Sequence, residues 1–307
     1  MKWPACAAPG AVAICLSFLV PPWSGAVHAS SIAEEPGAER WQGISRIVAV
    51  NPTAAEIVCA LGACSRLVAV GKGSSYPPGL DLLPSVGFER DLTAEGILAL
   101  DPDLVLLGAD AGPPEVIARL RALEVPIVVV PGEKSLLGAA SRVRAVAAAI
   151  RCETAGESLA VRLERLQLRS DREAPPAEAT DARSVLFLYA RGGGSYFVAG
   201  QNTAPDELIR LAGGRNACAG FDAYRPLSAE SLVGAQPDLI LLTRGGLEAV
   251  GGEDGLWSLP GMSQIPAGRE RAFVALDDLL LLGFGPRVEE AILALRCGLT
   301  DSARRGR

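Results

Sequence analysis

Glu95 and Glu230 are two acidic residues with the same sequence setting. Each lies two positions after a hydroxyl side chain, Thr93 or Ser228. Each belongs to a passage that occurs twice, from Leu92 to Leu107 and again, 135 residues later, from Leu227 to Leu242. A hydroxyl before a helix satisfies orphan backbone N–H groups, and a carboxylate in the first turn is favoured by the helix dipole. That capping role accounts for the pattern by itself. The same placement also puts a carboxylate at an outer tip, where it can pair with an arginine of a partner. Two equivalent tips suit a symmetric, dimeric partner. The offset far exceeds the period of roughly 20 to 50 residues of stacked solenoid repeats, so the passage marks two similar lobes and a cleft between them.

Histidine chemistry is excluded on simple grounds. His28 is the only histidine of the 307 residues, and it lies in a leader-like start. Lys2 is followed by an apolar run at 11–20 and by Ala26-Val27-His28-Ala29, the order of a secretory signal peptide cleaved after Ala29. The run is too short to span a bilayer. An exported chain without histidine cannot build a Ser-His-Asp, Cys-His or His-zinc site. Five cysteines remain after the leader, Cys59, Cys64, Cys152, Cys218 and Cys297, with no zinc-ligand spacing. Cys59 and Cys64, five apart on one helix and loop, are poorly placed for a disulfide, so buried free thiols are expected. No nucleophile or metal cluster is visible, which argues against an enzyme. A net charge of −6 without a basic stripe argues against nucleic acid.

The elements that must position these residues follow from periodicity. Apolar runs at 46–50, 67–71, 104–107 and 125–130 alternate with helical stretches at 54–61 and 113–123. That alternation specifies a mainly parallel sheet covered on both faces. Residues 135–172 read as helical almost throughout, with Val143, Val146, Ile150, Leu159, Leu163 and Leu166 at helical spacing. One straight strut there would be roughly 55 Å long at about 1.5 Å per residue. Two helices broken near Cys152 to Ala155 are the other reading. After the polar stretch 173–183 the pattern restarts, with strands at 184–190, 196–199 and 272–275, helices at 204–212 and 286–297, and the second copy of the repeat. The expected organisation is a signal peptide at 1–29, an N-terminal lobe at 44–132, a linking helix at 133–172 and a C-terminal lobe at 183–300. Met262, the only methionine besides Met1 in the leader, is assigned to the core.

With these stretches in place, the chain resembles the substrate-binding proteins of bacterial ABC importers that have two Rossmann-like α/β lobes joined by one long α-helix. It is most similar to the periplasmic haem-binding group. The resemblance is carried by residues 46–62, 86–107, 112–131, 204–242 and Leu282-Gly283-Phe284-Gly285-Pro286-Arg287. It implies a monomer in the periplasm that captures haem or a related tetrapyrrole in the interlobe cleft. Delivery would be to a permease dimer with its ATPase, against whose arginines Glu95 and Glu230 would dock. Haem would be transported cargo and not a catalytic cofactor. A long linking helix implies small hinge motion.

The resemblance also locates a departure. Haem-binding relatives usually read Val-Gly-Tyr-x-Arg, with the tyrosine on iron, where this chain has Val86-Gly87-Phe88-Glu89-Arg90. Phe88 cannot ligate iron but can stack on a macrocycle, and Arg90 is expected to meet a propionate or another anionic group. Tyrosinate suits ferric iron, so Tyr76 and Tyr224 are the candidate iron ligands, with Arg225 expected to lower the Tyr224 phenol pKa. Tyr189, at a strand end, and Tyr196, after a glycine turn, are assigned to packing. Arg287 is a candidate cleft residue or a structural cap of the closing helix. Cobalamin is the alternative cargo, since it is held by aromatics without an iron ligand, and ferric siderophores are a third.

Overall fold

The computed structural model describes residues 43–173 and 182–305. The segment 1–29, expected to be a signal peptide, and most of the polar stretch 173–183 lie outside the described residues. Ile47-Val48-Ala49 forms strand β1 (Ile47–Ala49). Asn51 then caps helix α1 (Pro52–Ala60), its side chain accepting from the Ala54 N–H while Pro52 fixes the first helical φ. Strand β2 (Leu67–Val70), helix α2 (Ala94–Leu98), strand β3 (Leu104–Gly108), helix α3 (Pro114–Ala122) and strand β4 (Ile127–Val130) complete the first lobe. Its sheet is wholly parallel, in the order β2-β1-β3-β4.

The linking segment is a helical hairpin and not one rod. Helix α4 (Leu136–Ala149) stops at Ile150, the chain turns at Arg151 with φ 59°, and helix α5 (Glu153–Glu173) begins. The two helices lie in close contact. A Cβ on Gly156 would stand 2.2 Å from the Ala147 Cβ, so only glycine allows this approach. Arg144 of α4 holds both Glu157 and Glu164 of α5, at 2.7 and 2.6 Å. The long helix that joins the lobes is therefore α5 alone. It reaches the second lobe through Arg162 on the Pro286 carbonyl and Arg169 on Glu289.

The second lobe contains strand β5 (Ser184–Ala190), strand β6 (Tyr196–Ala199), helix α6 (Ala204–Leu211), strands β7 (Arg215–Asn216) and β8 (Tyr224–Pro226), and helix α7 (Ala229–Ala235). Strand β9 (Leu239–Thr243), helices α8 (Arg244–Ala249), α9 (Gly252–Ser258) and α10 (Pro266–Glu270), strand β10 (Phe273–Leu276) and helices α11 (Asp278–Leu282) and α12 (Val288–Arg305) follow. Its sheet runs β10-β9-β5-β6-β8, with β7 beside β5. Strands β5, β7, β9 and β10 are parallel, and β6 runs antiparallel to both of its neighbours, β5 and β8.

The sequence repeat has a structural counterpart in its hydrogen bonds. In the first lobe Asp103 accepts from the Ser45 and Arg46 N–H groups at 2.8 and 2.9 Å, and its own N–H donates to the Arg46 carbonyl. In the second, Asp238 accepts from the Ser184 N–H at 2.8 Å and its N–H donates to the Ser184 carbonyl. Each Pro-Asp pair thus ties the start of one strand to the start of its parallel neighbour.

Two apolar clusters cover the outer sheet faces, one per lobe. A third joins them, running from Ile47, Ile57 and Val143 through Leu163 to Phe187, Leu241 and Ile292. Within this continuous core, charged side chains also cross between lobes. Arg287, before α12, donates to both oxygens of the α1 residue Glu56, at 2.9 and 3.3 Å. Their side chains are 13% and 3% exposed. Burial pushes the Glu56 carboxyl up, and Arg287 opposes that shift. Arg142 of α4 donates to the Phe284 carbonyl at 2.7 Å, and Thr53 to the Gly283 carbonyl.

The expectation of free thiols is corrected at Cys59 and Cys64, which form a disulfide with Cα atoms 4.1 Å apart. Helix α1 ends just after Cys59, and Gly62, at φ 78°, turns the chain back so that the two cysteines meet. Cys152, Cys218 and Cys297 are free thiols.

Glu56→Gln should cost about 3 kcal/mol in urea unfolding, because it removes the buried carboxylate from Arg287 and leaves only the half-exposed Asp277 at 3.8 Å, whereas Glu56→Leu with Arg287→Met should lie within about 1 kcal/mol of wild type. Removing the disulfide by Cys59→Ala with Cys64→Ala should cost about 2 kcal/mol for so short a loop, read from the same denaturation curves.

Candidate functional site

In open α/β sheets, ligands bind beyond the carboxyl ends of parallel strands. In the first lobe that edge carries residues 71–91, the loop entering α2. Residues 85–87 lie beside β2: the Val86 N–H donates to the Val70 carbonyl and the Lys72 N–H to the Gly87 carbonyl. Gly87 has φ 86°, in the left-handed region that favours glycine. The following side chains divide between solvent and floor. Phe88 is 57% exposed, with Lys72 Nζ 4.6 Å from its ring centre. Glu89 turns inward, where its carboxylate accepts from the Gly108 N–H at the end of β3 and from Asn51 Nδ2. Arg90 is exposed and pairs with Asp110 at 2.9 Å.

In the second lobe, Tyr189 on β5 stands opposite Phe197 on β6, and Ala199 of β6 stands opposite Tyr224 on β8. These residues share one face of the sheet. The Tyr189 and Tyr224 rings are 5.8 Å apart. Arg191 lies 4.9 Å over the Tyr189 ring, and its Nε donates to the Tyr189 oxygen. Partial burial pushes the Tyr224 phenol up to about 12; Tyr189 adds to that shift and Arg191 opposes it. The expected lowering by Arg225 is therefore corrected. Adjacent strand residues point to opposite faces, and the Arg225 guanidinium lies 4.5 Å over the Phe221 ring instead.

Tyr76 and Arg287 come together where the lobes meet. The guanidinium sits 3.5 Å from the Tyr76 ring centre, so Arg287 carries a stacked aromatic as well as Glu56, with Asp277 at 3.8 Å. Its charge is thus engaged by the protein itself.

Glu95 and Glu230 occupy matching positions. Thr93 caps α2 by accepting from the Gly96 N–H, and Ser228 caps α7 in a reciprocal capping box with Ser231. Before α2, the Leu92 N–H donates to the Gly112 carbonyl beyond β3, while after α2 the Leu100 carbonyl accepts from Arg46 at the start of β1. Before α7, the Leu227 N–H donates to the Tyr196 carbonyl, which lies opposite the end of β5. Both helix N-termini therefore stand at the carboxyl edge of their sheets. Glu95 makes an exposed ion pair with Arg119 at 2.6 Å, an interaction worth little in solvent. Glu230 is exposed and has no ion-pair partner among the described residues.

The structure thus gathers Tyr76 with Arg287, and Tyr224 with Tyr189, which the sequence reading assigned to packing, and with Arg191, which it passed over. It leaves Phe88 and Arg90 on the other lobe. A signal for the missed pair was present: Tyr189 and Arg191 flank the end of a buried strand immediately before Gly192-Gly193-Gly194. Lys72 and Glu89 carried no such signal.

Known proteins agree with this architecture. The periplasmic heme-binding protein RhuT from Roseiflexus sp. RS-1 is 43% identical and superposes with a TM-score of 0.79, covering 85% of this chain and 100% of its own. The periplasmic heme-binding protein HutB of Vibrio cholerae is 30% identical, with a TM-score of 0.74 and coverage of 82% and 97%. A vitamin B12-binding protein of Vibrio parahaemolyticus is 26% identical over 266 residues, 86% of this chain and 92% of that one. The family model described as "Periplasmic binding protein" matches residues 47–280, and with two α/β lobes meeting across a buried seam, the chain belongs to that family.

Proposed function

We propose that this protein captures haem between its lobes in the periplasm and hands it to an ABC importer permease driven by an ATPase. The observation that carries this reading is the Tyr189–Arg191 pair. A phenolic oxygen is a hard donor suited to ferric iron, and a charge-assisted hydrogen bond from Arg191 fixes its position at the carboxyl edge of β5. Exposed Phe88, on the other lobe, supplies an aromatic face for a planar macrocycle. The geometry favours Tyr189 over the two tyrosines expected from sequence. Tyr76 is stacked under Arg287 at the seam, and the raised pKa of Tyr224 disfavours its anionic form. The haem-binding relatives at 43% and 30% identity support the same cargo. The Cys59–Cys64 disulfide is in keeping with export to an oxidising compartment, and no helix among the described residues is long and apolar enough to cross a membrane.

Cobalamin is the second reading. The resemblance to haem-binding proteins implies an iron-ligating tyrosine at position 88, where this chain has Phe88, and an aromatic face can contact a corrin without ligating iron. The relatives named for vitamin B12 point the same way.

Titration with hemin should produce a shifted Soret band with a ferric-phenolate signature. Tyr189→Phe should remove that signature, and Tyr76→Phe and Tyr224→Phe should keep it. Tight binding of cyanocobalamin with no spectral response to hemin would transfer the assignment to the corrin. Charge reversal by Glu95→Arg with Glu230→Arg should abolish uptake in cells while leaving ligand affinity within about twofold, since both carboxylates are exposed and neither touches Tyr189, Tyr224 or Phe88.

A further inference from the structure

The exposed Phe88 ring is held by its neighbours in the chain and not by packing around it. Lys72 Nζ lies 4.6 Å from its centre, and no other ring pairs with it among the described residues. The backbone on either side is pinned instead. Before Phe88, the Gly87 carbonyl accepts from the Lys72 N–H at 2.8 Å. After it, the Gly112 N–H donates to the Glu89 carbonyl at 2.9 Å, and the Asp91 N–H closes a turn on the Phe88 carbonyl at 3.0 Å.

One further pin is a side chain. The half-buried Glu89 carboxylate accepts from the Gly108 N–H, and Asn51 Nδ2 lies 3.4 and 3.3 Å from its two oxygens. A carboxylate only accepts, so two donors suit it. A Cβ at residue 108 would overlap Glu89 Oε1 and stand 2.8 Å from Asn51 Nδ2, so glycine leaves the space that the carboxylate fills. Asn51 is fixed from its other side. Its Oδ1 accepts from the Ala54 N–H at the start of α1, which turns the amide NH2 towards Glu89. Aspartate caps a helix as well as asparagine does, but it has no N–H to donate. The amide at position 51 therefore serves Glu89 as well as the helix.

We propose that Glu89, seated on Gly108 and Asn51, is the positioning residue that presents the Phe88 ring to the ligand. The seat ties the ring's backbone to the ends of β1 and β3, so the ring is ordered before binding and its ordering cost is not charged to affinity. The stacking of the ligand on Phe88 rests on the function proposed above; the positioning rests on these contacts alone.

Dissociation constants for hemin and cyanocobalamin, measured in a double-mutant cycle, test this. Phe88→Ala should weaken the bound tetrapyrrole about tenfold through lost stacking. Glu89→Ala and Asn51→Asp should each weaken it about fivefold alone, the cost of ordering one side chain, and less than about twofold when Phe88→Ala is already present. Asn51→Asp keeps the cap but sets a carboxylate against Glu89, so its thermal midpoint should stay near wild type while affinity falls. Glu89→Gln, which keeps an acceptor for the Gly108 N–H, should recover most of the affinity. In the ligand-free protein, para-fluorophenylalanine placed at position 88 should give a resolved fluorine NMR line that moves towards the solvent position in Glu89→Ala. Equal losses in both backgrounds, or an unmoved fluorine line, overturn the proposal. Unchanged binding of both ligands by Phe88→Ala, with the fluorine response intact, removes the stacking reading and keeps the positioning.

Discussion

The Glu56–Arg287 ion pair fixes how the two lobes meet. Its side chains are nearly excluded from water, so neither can leave the other without exposing the surrounding core or burying an isolated charge. The same guanidinium supports the Tyr76 ring. The loop that carries it is fastened twice more, through Arg142 on the Phe284 carbonyl and Thr53 on the Gly283 carbonyl. Phe284 itself is fully buried and has φ 52°, a backbone state that a bulky residue rarely adopts and that dense packing must maintain. Residues that resemble ligand contacts in sequence thus turn out to set the relation between the walls of the cleft.

On that frame, the repeated passage does the same work twice. Asp103 and Asp238 bind the starts of parallel strands, and Thr93 and Ser228 cap the helices that precede them. Glu95 and Glu230 consequently emerge at corresponding corners of two different sheets. Capping and partner docking are therefore not rival explanations for these glutamates, because the cap is what aims the carboxylate.

Much of this was legible in the sequence wherever the code is local. The strands at 104–108 and 239–243 and the caps before α2 and α7 follow from apolar runs and hydroxyl side chains a few residues away. The break between α4 and α5 was harder to place, since neither glycine nor proline marks it and Arg151 takes the left-handed turn itself. The disulfide depended on the reversal at Gly62, which helical spacing ignores. The partnership of Tyr189, Arg191 and Tyr224 depended on antiparallel pairing of β5, β6 and β8, whose register no single segment contains. For Arg287 the sequence left a cleft contact and a structural cap open, because its buried carboxylate partner lies 231 positions away.

The apolar cluster that passes from β1 and α1 through α4 and α5 into β5, β9 and α12 has a thermodynamic corollary. Neither half owns a complete interior. Cutting the chain into separate halves would leave each with a raw hydrophobic face, so the two should melt as one cooperative unit and neither should survive as an autonomous fragment.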